Sequence, residues 1–101
     1  MSESQDPVLT FRIALDTAPD LDAANVMADA SKAAGLEVLT VSPLGLMVSG
    51  RKSLIERKLS AHIDWRTDLV QFTVQPKFEN LPAGTKYRAY FPRGPTYFRG
   101  S

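Results

Sequence analysis

Residues 8–15, Val-Leu-Thr-Phe-Arg-Ile-Ala-Leu, place Leu9, Phe11, Ile13 and Leu15 on one side and Thr10 and Arg12 on the other. A period of two makes a strand with one buried face. Within a few residues the period changes. Thr17-Ala-Pro-Asp20 reads as a capping box with proline in the first turn. Beyond it Ala23, Val26, Met27, Ala30, Ala33 and Ala34 recur at helical spacing, while Asp22, Asn25, Asp29 and Lys32 point outward. Gly35 is a C-cap that ends this helix. A strand followed at once by an alanine-faced helix requires close helix-on-sheet packing, and this limits the rest of the chain to a few architectures.

Two β-rich runs follow, 36–42 and 45–49, joined through Ser42-Pro43 tightly enough for a hairpin. Ser53-Leu-Ile-Glu56 reads as a second capping box, and Leu54, Ile55, Leu59 and Ile63 give a short amphipathic helix. In residues 69–75, Val70, Phe72 and Val74 alternate with Gln71, Thr73 and Gln75, and Pro76 stops the run. The order β-α-β-β-α-β predicts an α+β, ferredoxin-like fold, an antiparallel sheet with two helices on one face. Phe11, Ile13, Val26, Met27, Val38, Val48, Leu59 and Phe72 are the expected core. Arg12, Gln71 and Thr73 are expected on the open sheet face.

The 101 residues suffice for one domain with one modest core. There is no cysteine, so disulfides and thiolate metal sites are excluded. No apolar run reaches the roughly 20 residues of a membrane helix, so no membrane partner is expected. The opening Met-Ser-Glu-Ser-Gln-Asp-Pro lacks the character of a secretory signal. Charge is uneven. Residues 1–76 hold seven basic and ten acidic side chains; residues 77–101 hold five basic and one acidic, with six of the nine aromatics. The expected organisation is a flexible N-terminus over 1–7, a domain over 8–76, and a basic, aromatic C-terminal arm over 77–101. Pro82, Pro92 and Pro95 disfavour helix and central strand in that arm. Truncation after Gln75 is therefore expected to leave a folded domain that binds poorly.

Catalytic chemistry finds no support. His62 is the sole histidine; beside Asp64 it is either a general base or a surface residue at a helix C-terminus, and the second reading is the simpler. Asp16, Asp20, Asp22 and Asp29 lack the glycine and closing glutamate of a calcium loop. Gly45 and Gly50 begin no phosphate loop, and Arg51-Lys52-Ser53 reads as a solvated loop before it reads as an anion site. No nucleophile elbow is present. Neither an enzyme nor a cofactor nor a metal site is expected. Nucleic-acid binding on such a fold needs aromatics on the two central strands; the third strand has none and Phe11 faces the core, so only the tail's modest charge is left for it.

Gly35-Leu-Glu-Val38-Leu-Thr-Val41-Ser, Gly45-Leu-Met-Val48-Ser-Gly50 and Ser53-Leu-Ile-Glu-Arg-Lys-Leu59 together resemble the prodomains of subtilisin-like and sedolisin (kumamolisin-like) serine peptidases. The resemblance covers roughly residues 8–76 and is strongest over 35–59. It implies a non-enzymatic chaperone and inhibitor of a serine peptidase. The open sheet face would dock on two peptidase helices, and the segment after the last strand would lie in the substrate cleft. The tail, at 25 residues, is longer and more aromatic than a cleavage linker. The other readings are a structural or assembly subunit whose tail docks on neighbouring subunits and, third, a nucleic-acid binder acting through the tail. The partner-binding residues expected in the arm are Lys86, Tyr87, Arg88, Tyr90, Phe91, Arg93, Tyr97, Phe98 and Arg99, since tyrosine and arginine most often anchor interfaces.

Overall fold

The computed structural model describes residues 6–16, 19–65, 69–79 and 81–92. The elements are β1 (Val8–Leu15), α1 (Leu21–Ala33), β2 (Glu37–Ser42), β3 (Gly45–Arg51), α2 (Lys52–Lys58), β4 (His62–Trp65), β5 (Val70–Val74) and β6 (Tyr87–Tyr90). The class is α+β. Four strands form an antiparallel sheet in the order β2-β3-β1-β6, and β4 and β5 form a separate two-stranded sheet.

β1 behaves as its alternation requires. Leu9, Phe11 and Ile13 are buried. They stand opposite Gly50, Val48 and Leu46 of β3, and Ile13 also stands opposite Ala89 of β6. This face carries the core, into which α1 sends Ala24, Met27 and Ala28, and α2 sends Ile55. Gly45 lies at φ +153, and a Cβ there would run into the Ile13 carbonyl oxygen, so close pairing of β1 with the start of β3 depends on glycine.

α1 begins one turn later than the capping box implies. Asp20 is the N-cap, its carboxylate accepting from the Asp22 and Ala23 N–H groups at 3.0 and 3.3 Å. Pro19 thus precedes the cap and lies outside the first turn. The buried stripe is Ala24, Met27, Ala28 and Ser31, rotated from the expected one, and it leaves Val26 exposed. Ser31 is polar yet fully buried, because its hydroxyl donates to the Met27 carbonyl at 2.9 Å. The helix closes on Gly35 at φ +97. The Gly35 N–H reaches the Lys32 carbonyl and the Leu36 N–H the Ser31 carbonyl, a Schellman pair.

α2 departs further from expectation. Its N-cap is Arg51, without a side-chain hydrogen bond, and Ser53 lies inside the first turn. The capping carboxylate comes instead from Asp6, which accepts the Ser53 N–H at 2.9 Å and the Ser53 hydroxyl at 2.8 Å. Residues 6 and 7 are thereby tied down, Pro7 also accepting from the Lys52 N–H, and do not belong to a loose N-terminus. Those two hydrogen bonds hold the Asp6 carboxyl below its ordinary range. Ser60, at φ +53, stops the helix before Ile63. His62 and Ile63 therefore belong to β4, and His62 is not a helix C-terminal residue. Its Nδ1 lies 2.6 Å from the Thr73 hydroxyl.

The strand expected at 69–75 forms over Val70–Val74 but does not join the main sheet; it pairs only with β4. It folds back over the core face instead. Phe72 meets Phe11 edge-on at 5.2 Å and stacks on Phe91 at 4.6 Å, and Ile63 is buried in the same core. Phe11, Ile13, Met27, Val48 and Leu59 are buried as expected, and Val38 and Phe72 pack against the core half-covered.

The place beside β1 is taken by β6, from the segment expected to be a free arm. Pairing runs from Arg12 opposite Tyr90 to Leu15 opposite Tyr87. The prolines bracket this edge strand without entering it, and an edge position tolerates such neighbours. The domain therefore continues past Pro76, and truncation there would remove a strand of the sheet.

Candidate functional site

Since odd-numbered residues of β1 face the core, its even-numbered residues and their partners line the other face. One row crosses all four strands. Thr40 stands opposite Met47, Met47 opposite Arg12, and Arg12 opposite Tyr90. Beside it run Glu37, Ser49 and Thr10; then Ser42, Gly45, Ala14 and Arg88; and at one end Val8 opposite Arg51. Thr10, Thr40, Arg51, Arg88 and Tyr90 are exposed, and Met47 and Arg12 half-buried. The face thus carries three arginines against the single carboxylate of Glu37. Its guanidinium groups make no salt bridge among the described residues. Ser49 is 8% exposed, and its hydroxyl has no hydrogen bond among the described residues.

The expected site residues divide. Arg12 is on the open face. Gln71 and Thr73 are not; they belong to the β4–β5 hairpin, with Thr73 engaged by His62. Among the arm residues, Tyr87 and Phe91 are committed to the domain itself. The Tyr87 hydroxyl donates to the Pro76 carbonyl at 2.8 Å and accepts from the Phe78 N–H at 3.2 Å. The Phe78 ring meets that of Tyr87 at 5.5 Å, and Phe91 closes a triad with Phe11 and Phe72. Lys86, Arg88 and Tyr90 are exposed, the last two on the open face. Arg93, Tyr97, Phe98 and Arg99 lie outside the described residues.

Sequence reading missed Thr40, Met47, Ser49 and Arg51 as members of this face. The signal was present: in Gly45-Leu-Met-Val-Ser-Gly-Arg51, Leu46 and Val48 alternate with Met47, Ser49 and Arg51. No group of three or more potential metal-ligating side chains occurs among the described residues, and no helix of the described residues is long and apolar enough to cross a membrane.

Gln75 has a separate role. Its amide nitrogen donates to the Ala89 carbonyl at 2.9 Å, and its amide oxygen accepts the Ala89 N–H at 2.8 Å. One side chain thereby satisfies the outward backbone groups at the middle of β6, as a neighbouring strand would.

Comparison with protein-family models, with curated proteins and with solved structures finds no match.

Proposed function

We propose that the chain is a non-enzymatic protein-binding domain that docks through the open face of its four-stranded sheet, as a prodomain-like chaperone or inhibitor of a serine peptidase. The observation that carries this reading is the continuous Thr40–Met47–Arg12–Tyr90 row, flanked by Arg51 and Arg88, on a face that neither helix nor the β4–β5 hairpin covers. A methionine on an inner strand and a tyrosine on the edge strand, with arginines around them, is the composition of an interface anchor. The same proposal takes the frame as ferredoxin-like. β1, α1, β2, β3 and α2 supply its first five elements, β6 stands in for the fourth strand beside β1, and the β4–β5 hairpin is inserted before it.

On this reading the segment entering a substrate cleft is the one after β6, beginning near Pro92. Docking through an aromatic tail alone has less support, since Phe78, Tyr87 and Phe91 already pack within the domain.

The test is titration of the full chain against subtilisin and against a kumamolisin-like sedolisin, reading complex formation by calorimetry and activity on a chromogenic peptide. The expected result is a one-to-one complex that inhibits at least one of them. The Arg12→Glu and Tyr90→Ala variants should weaken it by about tenfold each, roughly 1.4 kcal/mol, without loss of fold. Failure of both peptidases to bind the folded chain overturns the peptidase reading. Binding of a single-stranded oligonucleotide, abolished by the same variants, would reassign the face to nucleic acid.

A further inference from the structure

We propose that the outer edge of β2 is a self-association site, at which a second copy of the chain adds its own β2 antiparallel to the first and joins two four-stranded sheets into one of eight strands. This site is distinct from the open face. The sheet has two ends, β2 and β6, and they are treated differently. At β6 the outward groups of Ala89 are occupied by the Gln75 amide. At β2 the outward backbone groups have no partner among the described residues.

Exposed edges are commonly guarded by lysine, proline, inward-pointing charge or a bulge, and of these β2 itself has only the bulge between Val38 and Thr40. β2 reads Glu-Val-Leu-Thr-Val-Ser, with one charge, at its first residue. Two of its three apolar residues are exposed. Leu39 is 47% exposed and Val41 37%, and flanking them Leu44 of the hairpin turn is 55% exposed and Leu21 at the start of α1 49%. The Asp20 N–H donates to the Pro43 carbonyl, so Leu21 and Leu44 lie at the same end of this edge. Four of the nine exposed large apolar side chains among the described residues thus gather along one edge.

The order of side chains favours a second copy over an arbitrary strand. A two-fold axis between Leu39 and Thr40 sets Val38 opposite Val41, Leu39 opposite Thr40, and Glu37 opposite Ser42. Like meets like for the valines, and the two carboxylates are kept apart, as a self-complementary interface requires. The β2–β3 ladder shifts register between Val38 and Thr40. This bulge falls on the axis, so two short ladders, 37–38 against 41–42, flank it.

Sedimentation equilibrium of the full chain over a range of concentrations is the direct test. A monomer–dimer equilibrium in the micromolar range is expected. Val41→Lys, at an exposed position, should leave the melting temperature within a few degrees and shift the dissociation constant upward by tenfold or more. Thr40→Cys should give a disulfide-linked dimer under mild oxidation, because the axis runs beside that residue. A chain that stays monomeric throughout overturns the proposal. So does a dimer that survives Val41→Lys but is lost in Tyr90→Lys, which would place self-association on the open face. Peptidase binding by a Val41→Lys monomer would leave the function proposed above standing, so the two ideas fail separately.

Discussion

Phe11 is the side chain on which the packing of three segments converges. It is fully buried and meets both Phe72 and Phe91. Phe11→Ala should cost about 3–5 kcal/mol, a large share of the roughly 5–15 kcal/mol that holds a small domain together. Urea denaturation would measure it, and Phe72→Ala should cost less, because Phe72 is only half-covered. Asp6 makes a different kind of prediction. Its carboxyl is held low by the Ser53 N–H and hydroxyl, so the stability it lends is complete above the ordinary aspartate range and is lost as pH falls through the lowered value. Melting temperatures of wild type and Asp6→Ala should therefore differ at neutral pH and converge in acid; a gap that persists at low pH would show that charge is not what Asp6 contributes. Burial pushes the Glu56 carboxyl up, but the Ile63 N–H and the Lys52 ammonium outweigh it, and the net direction is down. Some of this was legible in the sequence and some was not. The helix after Pro19 was legible from its apolar stripe, but the capping-box pattern of Thr17-Ala-Pro-Asp20 set its start one turn early, and Asp20 is the cap. Asp6 as a cap for a helix 47 residues away follows from nothing local, and Ser53-Leu-Ile-Glu56 satisfied the pattern of a capping box while its serine bonded elsewhere.

Elements were more legible than their pairings. The alternation of 8–15, the hairpin at Pro43 and the strand near 70–74 all form. What an alternating strand cannot declare is which neighbour it will find: Val70, Phe72 and Val74 would suit a main-sheet strand as well as a hairpin folded over the core. β4 was hidden because Ile63 lies four residues after Leu59, a helical spacing, and the left-handed Ser60 that breaks the helix carries no glycine to announce it. β6 was hidden behind prolines that in fact flank it. The correction has a direct test. A chain ending at Gln75 should lose the cooperative unfolding transition, because Ile13 and Leu15 would lose their β6 partners and Phe11 and Phe72 their contact with Phe91. A chain ending at Pro92 should keep it. Circular dichroism with thermal melts separates the outcomes, and a cooperative melt of the 1–75 chain would show that β6 is dispensable. At the candidate site, the arginines were visible as residues but not as a group, since only the β1–β3 and β1–β6 registers bring Arg12, Arg51 and Arg88 onto one face.

For the whole molecule, the Gln75 amide matters beyond the two hydrogen bonds it makes. A sheet with two sticky ends is a link in a fibre: each copy accepts one neighbour and offers a site to the next, without limit. With the middle of one end capped, a strand adding there would have to displace the amide, so growth halts after a single pairing and the assembly is finite. Gln75→Ala should cost little stability, about 1 kcal/mol at a partly exposed site, yet change the fate of the material. Solutions of that variant should scatter light and bind amyloid dyes on standing, while the parent stays clear. Spontaneous deamidation of Gln75 to glutamate would act in the same direction, because a carboxylate cannot donate to the Ala89 carbonyl. A single amide nitrogen would then separate a soluble pair from a polymer.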